Sequence, residues 1–198
     1  TETYHWLLNN QEVSTGSSYL LKQSDVGNDI SVFASYTDLS GYYEISNTTL
    51  GVKVLNVNDT PTGSVIIKIN DTTSNATETK QGDILKATNT LQDTDGLGVI
   101  SYQWMDDGKN ITGETSSTHT VVQADVNKTI SVKATYVDLL NTSESVSSSG
   151  LRVNNVNDLP TGELSVRGIT NVGRTLTADT SNIIDLDGLS EFNYTWYA

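Results

Sequence analysis

Asp93 and Asp95 lie two residues apart in LQDTDGLG, and Asp185 and Asp187 repeat the arrangement in IDLDGLS. Paired carboxylates in an Asp-Gly turn have three chemistries open to them. They can hold a hard cation through oxygen, as calcium requires. They can make the turn itself, since Asp and Gly are what tight turns favour. They can also serve as the acid and base of a glycosidase. The Asp93 loop is not an EF-hand: Gly96 falls at its fourth position rather than the sixth, and Trp104 occupies the twelfth. The chain has no cysteine, so a thiol nucleophile or a thiolate metal site is excluded. No nucleophile elbow, HExxH pair or phosphate-cradling glycine loop occurs, and neither enzyme activity nor a catalytic residue is expected.

More oxygen ligands recur in phase with these loops. Asn58 and Asp59 belong to NVNDTPTG, which returns as NVNDLPTG with Asn157 and Asp158. The only prolines, Pro61 and Pro160, sit at the same place in the two octapeptides, 99 residues apart (160 − 61). Proline fixes φ and holds the preceding residue extended, which makes a stiff linker. VDLLNTSE carries Asp138 near its start and Glu144 at its end, and Asp38 and Glu44 hold the same places in an earlier copy.

The elements that must position these residues follow from an internal repeat of about 100 residues. QSDVGNDISVFASYTD from Gln23 matches QADVNKTISVKATYVD from Gln123, and Trp6, Trp104 and Trp196 each end a similar phrase. The repeat divides the chain into the C-terminal part of one copy (1–58), a complete copy (59–157) and the N-terminal part of a third (158–198). TETYHWLL lacks an initiator Met and reads as the middle of a strand, so the chain is expected to be a piece of a longer one. His5 and His119 fall at non-equivalent places, their repeat partners being Gln103 and Tyr19, which argues against catalysis. Zinc would want a His or Cys near the carboxylate loops, where neither lies.

Within the complete copy the hydrophobic period is two. Ile130, Val132, Ala134 and Tyr136 alternate with Ser131, Lys133 and Thr135, and Ile100, Tyr102 and Trp104 form a second set. This pattern marks half-buried strands. Strands are expected near 63–69, 83–91, 98–106, 110–112, 118–122, 129–137 and 144–154, with no helix. Seven short strands with a tryptophan on the third read as an all-β, immunoglobulin-like sandwich, and the tryptophans read as core. In that topology the loops after the second and sixth strands lie at the end where the linker arrives. Asn58, Asp59, Asp93, Asp95, Asp138 and Glu144 should therefore meet, with Asn157, Asp158, Asp185 and Asp187 forming part of the next such set. Converging carboxylates repel one another unless a cation with 6–8 oxygen ligands joins them, and calcium suits an irregular cage better than magnesium.

The composition agrees with a solvated extracellular protein. Eleven basic against 24 acidic residues give a net charge of −13, which argues against nucleic acid as a partner. No apolar run approaches the length that spans a bilayer.

VNDTPTG, LQDTDGLGVISYQW, ITGETSSTHT and ADVNKTISVKATYVD, followed by Glu144-Ser145, resemble the tandem immunoglobulin-like or cadherin-like repeats of very large secreted bacterial adhesins that carry RTX export signals. The likeness covers essentially the whole chain. It departs from the family pattern at Asn127, where a glycine is usual, and at Leu139-Leu140, where the loop is usually more polar. The resemblance implies a modular, calcium-binding stalk at the bacterial cell surface, serving cell adhesion and biofilm attachment. Its partners would be neighbouring repeats of the same chain, with any surface glycan or protein ligand bound elsewhere in the parent. Two alternatives are a glycan- or partner-binding module, for which Tyr42 and Tyr43 are candidates, and an accessory module of a large secreted enzyme.

Overall fold

The computed structural model describes residues 2–71 and 77–197. The chain is all-β, in several sheets that are almost wholly antiparallel and consistent with a β-sandwich. The only helical segments among the described residues are two single 3-10 turns, Gln23–Asp25 and Gln123–Asp125.

The first copy contributes β1 (Thr3–Leu8), β2 (Gln11–Thr15), β3 (Asp29–Thr37), β4 (Tyr43–Ile45) and β5 (Val52–Lys53). They form one sheet in the order β2-β1-β3-β4, with β5 also paired to β3. Asn9 and Asn10, both at positive φ (46° and 64°), close the β1–β2 hairpin. That backbone matches the right-handed twist of the flanking strands, and Asn tolerates it.

The second copy contributes β6 (Val65–Ile69), β7 (Glu78–Lys80), β8 (Ile84–Asn89), β9 (Ser101–Asp106), β10 (Lys109–Asn110), β11 (Thr118–Thr120), β12 (Thr129–Val137), β13 (Ser143–Ser147) and β14 (Leu151–Asn154). One sheet runs β10-β9-β12-β14-β7, with β13 also on β12, and the other runs β11-β8-β6. The third copy adds β15 (Ser165–Arg167) and β16 (Thr177–Asp179), which pair antiparallel.

The expected strands occur, with two corrections. The run 144–154 is two strands, because Ser148, Ser149 and Gly150 interrupt it after β13 and before β14. Strand β7 was not expected at all. It pairs in parallel with β14, through Arg152 with Glu78, Val153 with Thr79 and Asn154 with Lys80.

Two compact units account for the chain: Thr1–Ser64 with Asn89–Ser101 and Ala134–Val146, and Val65–Thr88 with Tyr102–Lys133 and Ser147–Ala198. In the second, Val65, Ile67, Leu85, Trp104, Val121, Ile130, Val132, Leu151 and Val153 are buried. In the first, Val54, Leu91, Ala134 and Tyr136 are buried. The alternation read along β12 is therefore the inward face of that strand, and Trp104 is a core residue.

The end of the octapeptide has a structural duty of its own. Thr62 pairs with Gln92 and Thr161 with Ile184, in each case through a short antiparallel bridge. Gly63 sits beside the first bridge at φ 90°, and a Cβ there would stand 2.2 Å from the carbonyl oxygen of Thr90. Gly162 repeats this, with Asn182 in place of Thr90. Gly63→Ala is expected to destabilise the fold by at least about 1–2 kcal/mol, because the left-handed backbone alone costs an L-residue that much. Urea denaturation, read as a lower midpoint at unchanged slope, checks it; an unmoved midpoint would mean that the linker does not press on this loop.

Candidate functional site: the junction between repeats

The linker carrying Asn58 and Asp59 runs into the second copy beside the turn at Asp93–Gly96. That turn is made locally: the backbone N–H of Asp95 donates to Asp93 Oδ1 (2.9 Å), and the N–H of Gly96 donates to the Asp93 carbonyl (3.2 Å). Two glycines let the loop lie against the sixth-strand loop. Leu139 donates its N–H to the Gly96 carbonyl (3.2 Å), and a Cβ on Gly98 would meet the carbonyl oxygen of Val137 at 1.8 Å. Only glycine permits that approach, which is why the turn reads DGLG.

Asp95 is the centre of this junction. It is buried, at 4% exposure. Its Oδ2 accepts the backbone N–H of Asp59 (2.7 Å), and its Oδ1 accepts the side-chain amide of Gln23 (2.6 Å). The same amide nitrogen also donates to Asn56 Oδ1 (3.0 Å). Gln23 opens the 3-10 turn of the first copy. That turn is held independently by Asp25, whose Oδ2 accepts the N–H of Lys22 (2.9 Å).

The junction to the third copy is built from the corresponding residues. Asp187 donates its N–H to Asp185 Oδ1 (2.9 Å), as Asp95 does to Asp93. Asp187 Oδ2 accepts the N–H of Asp158 (2.8 Å), and its Oδ1 accepts the amides of Asn155 (2.8 Å) and Gln123 (3.4 Å). Gln123 also donates to the Leu186 carbonyl (3.1 Å). The N–H of Asp158 holds the Asp187 carboxyl below the usual carboxylate range, with the Asn155 amide adding to the effect. Gln81 joins from the loop before β8, donating to Asp158 Oδ2 (3.0 Å). Asn157 stays local, donating to the Asp158 carbonyl (3.0 Å).

Asp138 is arranged differently. Its Oδ1 accepts the N–H groups of Leu140 and Thr142 (both 2.8 Å), which closes the sixth-strand loop. Its Oδ2 is buried and has no hydrogen-bond partner. A buried unpaired carboxylate oxygen is costly unless something positive meets it. Asp38 closes the equivalent loop of the first copy through Ser40 and Tyr42. Beside Asp138, the Tyr136 hydroxyl donates to Asp93 Oδ2 (2.5 Å) and Asn58 donates its amide to Glu144 Oε1 (2.7 Å). Burial pushes the Tyr136 phenol far above its ordinary range; the Asp93 hydrogen bond and the charges of Asp93, Glu144 and Asp138 push it further the same way. The phenol thus registers negative potential from three carboxylates at once.

The linker, second-strand loop and sixth-strand loop therefore meet: Asp59 with Asp95, and Asn58 with Glu144. They do so mainly through hydrogen bonds. Among the described residues, no three His, Asp or Glu side chains gather closely enough to cage a metal ion by themselves. Comparison with family models and with curated proteins finds no match to the chain.

Sequence reasoning passed over Gln23, Gln81 and Gln123. Gln23 and Gln123 open QSD and QAD at matching repeat positions, and that coincidence was the available signal. His119, buried in the second copy, sits between Asp125 (3.0 Å) and Glu114 (3.1 Å) and packs against Trp104. Tyr19 takes its place in the first copy and donates to Asp25 (3.0 Å). Both residues tie the 3-10 turn to its own sandwich, which is a structural duty.

Proposed function

We infer that the chain is an extender segment of a bacterial surface or secreted adhesin, a row of β-sandwich repeats stiffened by calcium at their junctions. The observation that carries this reading is the duplicated junction: two linkers that differ at one position of eight, Thr60 against Leu159, each donate the N–H of their aspartate to the second aspartate of an Asp-Gly turn. A flexible string of independent modules has no need of such docking, since motion between domains is the default for small interfaces. The motifs that resemble secreted adhesin repeats and the net charge of −13 support the extracellular setting.

Calcium fits the donor set on one specific ground, the orphaned Asp138 Oδ2. Asp138 and Glu144 would hold the ion with the side-chain oxygen of Asn58, and further oxygens would come from the main chain or water, as a hard cation of high coordination number allows. Asp93 lies beside them with both oxygens already accepting, from the Asp95 N–H and the Tyr136 hydroxyl. The ion would neutralise the repulsion among the carboxylates around Tyr136. Asp95 and Asp187 contribute chiefly by binding the linker, because both oxygens of each already accept N–H groups. No catalytic step is assigned to any residue. No helix among the described residues is long and apolar enough to cross a membrane.

Small-angle scattering on the 198-residue protein tests the reading. The maximum dimension is expected to be larger, and the flexibility lower, in calcium than in chelator. Superimposable profiles would remove calcium as the stiffening agent.

A second reading has one observation in its favour. Tyr42 and Tyr43 of the first copy are adjacent and exposed, at 68% and 66%, and aromatic faces of this kind suit glycan or protein ligands. The second copy has Thr142 and Ser143 there, so such binding would belong to one repeat rather than to the series.

A further inference from the structure

We propose that each repeat is fastened to the next by a glutamine latch that works without metal, with Gln23 closing on Asp95 and Gln123 closing on Asp187. The latch is present twice, in two separate sets of residues. In each, a glutamine at the first position of a 3-10 turn donates its amide to the second aspartate of the following Asp-x-Asp-Gly turn. The other oxygen of that aspartate accepts the linker N–H, from Asp59 in one case and Asp158 in the other. An asparagine of the linker completes each set: Asn56 accepts from Gln23, and Asn155 donates to Asp187.

Neither glutamine is required by the turn it opens. The turns are closed by Asp25 on the N–H of Lys22 and by Asp125 on the N–H of Val122, both at 2.9 Å. The glutamine side chains are left over for something else, and both reach forward to the next repeat. The middle residue of the phrase changes from Ser24 to Ala124 while the flanking Gln and Asp stay.

The chemistry suits a latch. A neutral amide brings a donor to a carboxylate without adding charge, and a hydrogen bond to an ionised acceptor is about twice as strong as a neutral one. The amide can face the carboxylate in only one sense, because reversing it would set Oε1 against Oδ1. In that sense Gln123 Oε1 turns inward, and it is buried without a protein partner. Accepting that arrangement is reasonable only if the amide's two contacts, with the Leu186 carbonyl and the Asp187 carboxylate, together outweigh it.

The latch rests on the reading of the chain as docked repeats, but not on the cation assigned to it. It also gives the aspartates a task that persists in chelator. Amide hydrogen exchange on the 198-residue protein, resolved by residue and run in EDTA, tests it. The N–H groups of Asp59 and Asp158 are expected to be protected. Gln23→Met should lower protection at Asp59, and Gln123→Met at Asp158, each by about tenfold or more, while the N–H of Val132 in the core keeps its protection. Gln123→Lys, which restores a donor, should keep protection at Asp158 near that of the unsubstituted protein.

Free exchange of Asp59 and Asp158 in EDTA, with protection appearing only in calcium, would overturn the latch and leave the calcium-stiffened extender standing. Unchanged protection in both methionine variants would also overturn it. Protection in EDTA that calcium does not increase would support the latch while counting against calcium alone.

Discussion

Trp104→Ala is expected to remove about 3–5 kcal/mol from the stability of the second copy, the range for truncating a fully buried aromatic. Trp104 is completely buried. Its indole N–H donates to the Ser116 carbonyl (2.9 Å), and its ring lies 5.5 Å from that of His119. Truncation therefore opens a cavity, strands a carbonyl and unseats the buried imidazole. Against a total of about 5–15 kcal/mol for a domain, that is a loss of about a fifth or more. Trp6 provides the internal control. It makes the same indole contact, to the Gly16 carbonyl (2.9 Å), but it is only partly buried, and Trp6→Ala should do less harm. Urea denaturation followed by far-UV circular dichroism separates them. Equal losses would mean that burial of the third-strand tryptophan is not what holds the sandwich together.

Calcium should stabilise the unsubstituted protein by about 1.4–2.7 kcal/mol at about 10 mM, taking the 10⁻⁴–10⁻³ M affinity of extracellular modules and the linkage relation for a ligand that binds only the folded state. Asp138→Asn should abolish most of that increment. The substitution is chosen because an asparagine Oδ1 can still accept the N–H groups of Leu140 and Thr142, so the loop stays closed while the unpaired charged oxygen disappears. In chelator the variant should be at least as stable as the original, since it no longer buries an unmatched charge. Thermal unfolding of both proteins with and without calcium reads out the difference. An equal calcium increment in the two would take Asp138 out of the ligand set.

What could be read from the residues, and what could not, divides along physical lines. Strand β12 was legible because both its buried and its exposed positions alternate over nine residues, a pattern only a half-buried strand produces. The meeting of the linker with the Asp93 and Asp138 loops was legible because the topology of a sandwich sends all three to one end. Strand β7 was not legible: it is three residues long, and only Thr79 among them is buried. The break between β13 and β14 did have a signal, since Ser148, Ser149 and Gly150 form the kind of cluster that bounds strands, but the flanking Val146, Leu151 and Val153 carried the reading through it. The glutamines escaped notice for a different reason. An uncharged side chain carries no signature in a charge pattern, and its role appears only when a carboxylate from a distant segment is found beside it.

The parallel pairing of β7 with β14 bears on how such a molecule responds to tension. A pull applied between the start of β7 and the end of β14 drags the two strands past each other along their common axis. The bonds joining Glu78, Thr79 and Lys80 to Arg152, Val153 and Asn154 then stretch together. An antiparallel hairpin pulled at its open end is peeled instead, one bond at a time. A pull that reached these two strands would meet three bonded pairs loaded side by side, contributed by three residues whose sequence announced nothing.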